Sequence, residues 1–237
     1  MASGSSTQKT GLQTVQASAV QPKHVEWIYP DRIPRGGLTN IVGDPGIGKG
    51  WFCVHVTSKV TSGGTLPGMP NPILAINVLI LAAEDEPETV LRPRLEDMGA
   101  DLGRVHIYTG YINSSGQSGQ FDIGQIQDLE NKIRSLQTDL VLIDPLIDFF
   151  GRANINKAQE VKALLLPLHD LAKKLNIAIV CVIHCNKADV KALYKGSGSI
   201  QFAGKARSVF LVEKSPEDED EKVVCHVKSN LGNLRIH

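Results

Sequence analysis

The sequence predicts an α/β fold in which a mainly parallel β-sheet carries helices on both faces and is closed by a C-terminal antiparallel hairpin. Three observations point there. Near-continuous apolar runs of strand length, at residues 78–83, 140–143 and 177–183, are the pattern of strands covered on both faces. They alternate with stretches of helical periodicity at 48–62, 123–136 and 158–175, the order that builds a parallel sheet through helical crossovers. A glycine loop follows the first apolar strand, at 38–42, and runs straight into the first helix.

Taken in order, residues 1–22 are rich in Ser, Thr and Gln and read as a flexible tail before a single domain over 23–237. Residues 25–29 form a short lead-in strand, and 30–37 a turn-rich approach to the strand at 38–42. The helix at 48–62 gives way to a loop at 63–72 holding three glycines and three prolines. After the strand at 78–83, residues 88–98 look helical and Gly99 stops them. Pro93 sits awkwardly inside that stretch and marks a bend or a late helix start. Residues 104–108 read as strand, and 113–120 as a Ser/Gly loop. Pro167 lies inside the helix at 158–175, where it can kink it. Residues 208–212 and 223–227 flank an acidic turn at 216–221 and read as a hairpin.

Composition narrows the class. With 237 residues, 42% hydrophobic and 21% charged, the chain suits one globular core. Lys+Arg and Asp+Glu are both 25, so no overall charge favours nucleic acid, and any such case rests on local patches. Cys53, Cys181, Cys185 and Cys225 are scattered without a CxxC pair, as expected of reduced thiols in a cytoplasmic protein. A metal site of Cys181, His184 and Cys185 lacks a second pair of ligands. No apolar run reaches the roughly 18 residues of a membrane span, and the N-terminus lacks a signal-peptide core.

The chemistry is concentrated at the first loop. Gly43-Asp44-Pro45-Gly46-Ile47-Gly48-Lys49 fits the first seven places of the P-loop pattern G-x-x-x-x-G-K-[S/T], between a strand and a helix. Glycines let backbone N–H groups converge on phosphate oxygens, and the helix start adds free N–H groups and its positive dipole end. Lys49 supplies a point charge for the terminal phosphates of ATP. The eighth place departs from the pattern. Gly50, followed by Trp51, stands where Ser or Thr would offer a hydroxyl to Mg²⁺, so the ion must do without that ligand or take water instead. Binding survives such a change more easily than hydrolysis does.

Three polar residues stand at the tips of other strands, where ligands gather in open α/β sheets. Asp144 ends 140–143 and suits the carboxylate that holds Mg²⁺, although an aspartate before Pro145 also starts turns. Glu84 ends 78–83 and suits the polarisation of an attacking water. Glu84, Asp85 and Glu86 before Pro87 also suit a helix N-terminus. His184 ends 177–183 and suits a γ-phosphate sensor, or a structural histidine.

An ordered set of stretches resembles a known group. They are the P-loop, Leu81-Ala82-Ala83-Glu84-Asp85, Arg92-Pro93-Arg94-Leu95, Leu142-Ile143-Asp144-Pro145-Leu146, His184-Cys185-Asn186-Lys187, Gly196-Ser197-Gly198-Ser199, Ala206-Arg207-Ser208-Val209 and Val227-Lys228-Ser229-Asn230-Leu231-Gly232. Together they resemble the RecA-like ATPase domain of the RepA-type plasmid replicative helicases and their phage and bacterial relatives, from about residue 36 to 232. The resemblance implies a ring, commonly a hexamer, with ATP held between subunits. It implies that Glu84 activates water, Asp144 serves the metal and His184 senses the γ-phosphate. It also implies that Arg207 reaches a neighbour's ATP as an arginine finger. Lys205, two residues earlier, would share that side if both lay on a strand; a solvated basic edge is the alternative for both. Arg92 or Arg94 is a further candidate to approach the nucleotide. Helicase rings of this kind track single-stranded DNA with channel loops, for which 151–157 and 187–195 are the candidates. Lys187, Lys191 and Lys195 would attract phosphates and Tyr194 would stack on a base, unless the segment is simply a solvated loop.

Two function classes follow: a DNA helicase or replication or recombination motor hydrolysing ATP with Mg²⁺, and a nucleotide-binding, hydrolysis-impaired assembly or regulatory protein. A small-molecule kinase would need an acceptor pocket and a lid, and the sequence shows no clear sign of either.

Overall fold

The computed structural model describes residues 12–151, 153, 157–184, 204–218 and 220–232. Residues 12–26 run exposed, with one short 3₁₀ turn at Ala17–Ala19. A small antiparallel pair, β1 (Trp27–Tyr29) and β2 (Ile33–Pro34), then leads into β3 (Gly37–Gly43), every residue of which is buried. The chain continues through α1 (Lys49–Ser62) and β4 (Val78–Ala82). A π-helical turn (Pro87–Leu91) then runs into α2 (Arg92–Asp97). Next come β5 (Val105–Ile107) and a two-residue ladder of β6 (Tyr111–Ile112) with β7 (Ser118–Gly119). A 3₁₀ turn capped by Asp122 opens α3 (Ile126–Leu136), which is followed by β8 (Leu140–Asp144), α4 (Ala158–Leu175) and β9 (Ala178–His184). The hairpin of β10 (Ser208–Lys214) and β11 (Lys222–Ser229) closes the fold.

The main sheet has seven strands in the order β11-β10-β3-β9-β8-β4-β5. All neighbours are parallel except β10 and β11. The expected architecture is therefore the observed one.

Strand alternation divides the apolar side chains between two cores. Leu79, Val141, Ile143, Ile179, Cys181 and Ile183 point to the face covered by α3 and α4. Val78, Ile80, Leu140, Leu142, Val180 and Val182 point to the face covered by α1 and α2. Burial on both faces explains why these strands read as unbroken apolar runs.

Two elements differ from the sequence expectation. The stretch at 88–98 begins as a π-helical turn that opens on Pro87 and runs without a break into α2, so Pro87 sits at a helix start whereas Pro93 lies inside a continuous helical stretch and leaves one N–H missing there. The Ser/Gly loop at 113–120 contributes β7, whose two residues are too few to show a period.

The register sets the strand tips side by side. Gly43 is paired with His184, and Ala82 with Asp144. Since β9 lies between β3 and β8, the loop after β3, His184 and Asp144 occupy consecutive positions on one sheet edge.

Candidate functional site

The loop between β3 and α1 owes its shape to glycine. A Cβ on Gly43 would lie 2.5 Å from the carbonyl oxygen of Val212, and Gly48 takes φ +104° immediately before the helix. Beyond this loop lies a cleft of about 230 Å³ lined by Gly46, Gly48, Lys49, Gly50, Trp51, Glu84, Asp85, Arg94, Asp144 and His184. Of the loop's other residues, Ile47 packs into the core beneath α1, and Gly43, Asp44 and Pro45 stay outside the lining. A larger hollow of about 980 Å³ beside β5 is lined by Tyr108, Tyr111 and Phe121 and shows no comparable gathering of charges.

Lys49 is only 3% exposed, an expensive place for a cation, and it is held there by specific partners. Its Nζ donates to the carbonyl oxygens of Gly43 (2.9 Å) and Asp44 (2.8 Å) and lies 3.2 Å from Nδ1 of His184. An ammonium has no lone pair to accept with, so Nδ1 is the acceptor and the ring proton sits on Nε2. Among the described residues that buried Nε2 has no hydrogen-bond partner, and the nearest carboxylate oxygen, Oε2 of Glu84, is 3.9 Å away. Burial first, and the Lys49 charge second, hold the His184 pKa below 6.5, against the opposing pull of Glu84 and Asp148. Both effects favour the neutral ring, which leaves one donor unsatisfied among the described residues.

Asp144 stands at the tip of β8. Burial, reinforced by the neighbouring Asp85 carboxylate and by Glu84, raises its pKa to about 6, with Lys49 and Arg94 opposing. Glu84 lies two residues beyond β4 with its side chain 64% exposed at the mouth of the cleft. The geometry thus brings together Lys49, Gly50, Trp51, Glu84, Asp144 and His184.

Local sequence signals did not bring out Asp85 and Arg94 as a pair. The acidic triplet 84–86 suited a helix start, yet Asp85 turns into the cleft and receives Nη1 of Arg94 at 3.1 Å. The Arg94 guanidinium also lies over the Trp51 ring, 4.8 Å from its centroid. Arg92 instead faces Glu96, with Nε and Oε2 3.5 Å apart, so Arg94 is the arginine of the site.

Arg207 and Lys205 lie elsewhere. Ser208 pairs with Thr39, and the Arg207 side chain packs beside Gly37, at the opposite end of β3 from the loop. Six residues of strand separate the two ends, about 20 Å at the usual rise. Lys205 lies in a helical turn before β10 rather than on a strand, so strand alternation does not place it with Arg207. Lys187, Lys191, Tyr194 and Lys195 lie outside the described residues, as do 152 and 154–156 of the other channel-loop candidate. Cys181 is buried in β9, where burial pushes its thiol up to about 12, and Cys185 lies outside the described residues. No group of three or more metal-binding His, Cys, Asp or Glu side chains occurs among the described residues.

The donor set admits a magnesium ion only in part. Asp144 suits an ion held through water, whereas Gly50 offers no hydroxyl.

A phosphate cradle between a parallel strand and a helix, with its lysine and a carboxylate at the tip of the next strand but one, defines the P-loop NTPase class. A family model of the AAA domain matches residues 5–190, and the chain belongs to that family of P-loop ATPases. No curated protein matches the sequence. No helix among the described residues is long and apolar enough to cross a membrane.

Proposed function

We propose that the chain is an ATP-binding, RecA-like ATPase that serves as a DNA helicase or as a replication or recombination motor in the cytoplasm. The observation that carries this reading is the convergence of Lys49, Glu84, Asp144 and His184 on one cleft at the carboxyl edge of the sheet. The ordered resemblance to the RepA-type helicases supplies the DNA-directed part, the ring and the contribution of Arg207 to a neighbour's site.

The residues divide the work. Backbone N–H groups of the loop and the first turn of α1 bind phosphate oxygens. Lys49 exchanges its carbonyl partners for the terminal phosphates. His184, with its unpartnered Nε2–H, donates to the γ-phosphate and reports its presence to the segment that follows β9. Glu84 orients and polarises the attacking water at the cleft mouth. Magnesium, when bound, neutralises phosphate charge, and Asp144 is the residue that would hold it.

An ATPase assay with and without single-stranded DNA tests this proposal. DNA-stimulated turnover that Lys49→Ala and Asp144→Ala abolish supports it, and no turnover with any DNA ends the motor reading.

Gly50 favours a second reading, a nucleotide-binding assembly or regulatory protein with impaired hydrolysis. That reading expects tight ATP binding without turnover.

A further inference from the structure

The cleft departs from an ordinary P-loop site at Gly50, and what surrounds that position suggests its own remedy. A Cβ built on Gly50 would lie 3.6 Å from Oδ2 of Asp144, 3.8 Å from Oδ2 of Asp85 and 4.0 Å from Nη1 of Arg94. These are ordinary contacts, so no steric conflict excludes a side chain. A hydroxyl one bond further out would sit among two carboxylates and a guanidinium. In P-loop proteins with Ser or Thr at this place, the hydroxyl serves the divalent cation that accompanies the triphosphate. Here a permanent cation already borders the same space, since arginine does not deprotonate in proteins.

Arg94 is fixed from two directions. Asp85 binds Nη1 at 3.1 Å, and the Trp51 ring lies beneath the guanidinium at 4.8 Å. Among the described residues, Asp85 is its hydrogen-bond partner, and a guanidinium carries five N–H donors. Planar donors of this kind match phosphate oxygens well. The side chain is 28% exposed and lines the cleft, so the remaining donors are within reach of a ligand there.

We propose that the Arg94 guanidinium supplies, beside Gly50, the positive charge that a divalent cation brings to the phosphates in sites with a hydroxyl at this position, so that nucleotide binding by this chain is largely independent of metal. Asp85 and Trp51 are the positioning residues that hold the guanidinium in place. The proposal rests on the nucleotide reading of the cleft and concerns binding; the metal requirement of hydrolysis is a separate matter.

The test is a calorimetric titration of the full chain with the non-hydrolysable analogue AMP-PNP, in excess Mg²⁺ and in EDTA. The dissociation constants in the two buffers are expected to agree within about tenfold. Arg94→Ala should weaken binding in EDTA by more than about tenfold, and Arg94→Lys, which keeps the charge, should recover part of that loss. A thermal melt of each variant checks that it folds, and the two-buffer comparison on the parent stands without any variant. Binding by the parent in Mg²⁺ that weakens more than about tenfold in EDTA overturns the proposal and leaves the nucleotide reading intact. So does an Arg94→Ala protein that binds in EDTA as the parent does. No binding in either buffer removes the nucleotide reading, and the proposal with it.

Discussion

Nζ of Lys49 lies 3.2 Å from Nδ1 of His184, joining the end of the phosphate loop to the tip of the neighbouring strand. The contact assigns the imidazole its tautomer, and burial first, with the Lys49 charge second, favours the neutral ring. An NMR titration of His184 in the nucleotide-free protein should therefore give a midpoint below 6.5, and Lys49→Ala should raise it by removing a nearby positive charge. The folded ring takes up its proton only below the unfolded value, so His184 lowers stability as pH falls through 6.5. A midpoint at or above 6.5 would show that the ring is not held in this way.

Gly50→Ser restores the P-loop hydroxyl in a place with room for it. The position lies in the first turn of α1, where serine is the better helix former by about 0.5 kcal/mol, so the variant should fold with unchanged or slightly raised Tm. Hydrolysis in Mg²⁺ should rise at least about tenfold if the missing hydroxyl limits the chemical step. An unchanged rate would show that position 50 does not limit turnover.

Arg207 lies at the opposite end of β3 from its own phosphate loop. Arg207→Ala should therefore leave AMP-PNP affinity of the isolated chain unaltered, while lowering DNA-stimulated hydrolysis by about 10³-fold or more as removal of an arginine finger does. In the proposed ring, mixing Arg207→Ala with Asp144→Ala chains should recover part of the activity, because some interfaces would then combine an intact finger with an intact carboxylate. Loss of nucleotide affinity in Arg207→Ala would place the arginine in its own site instead.

Glu130 ties α3 to α4. Its carboxylate receives Lys174 at 2.8 Å and Arg134 at 2.8 and 3.0 Å, with 10% of the side chain exposed. The Lys174 hydrogen bond, then that of Arg134, holds its pKa below the ordinary 4.5. The stabilisation is fully present above 4.5 and is lost as pH falls through the lower folded value. Glu130→Gln should lower Tm at neutral pH and converge with the parent in acid, which melts across that range would measure. A constant difference at every pH would mean that the charge plays no part.

The buried strands announced themselves because both faces are covered, which turns β4, β8 and β9 into nearly pure apolar runs. The helix expected at 158–175 is α4, Ala158–Leu175, where amphipathic period and length agree. The loop at 43–49 was legible because its chemistry is carried by consecutive residues. The Asp85–Arg94 pair was not, because it spans nine residues across a π-helical turn whose course is set by prolines and packing. The start of β10 at Ser208 was legible, but the helical turn that holds Lys205 just before it was not, because two residues of helix carry no apolar period.

On the proposed reading, the amides of loop 43–49 and the Nζ of Lys49 together grasp a triphosphate. Calorimetric titration of the parent and of Lys49→Ala with ATP at neutral pH addresses it most directly. One site per chain is expected in the parent, weakened about a hundredfold or more, nearly 3 kcal/mol, in the folded variant. Equal affinity in the two proteins, or no uptake of ATP by the parent, would contradict it.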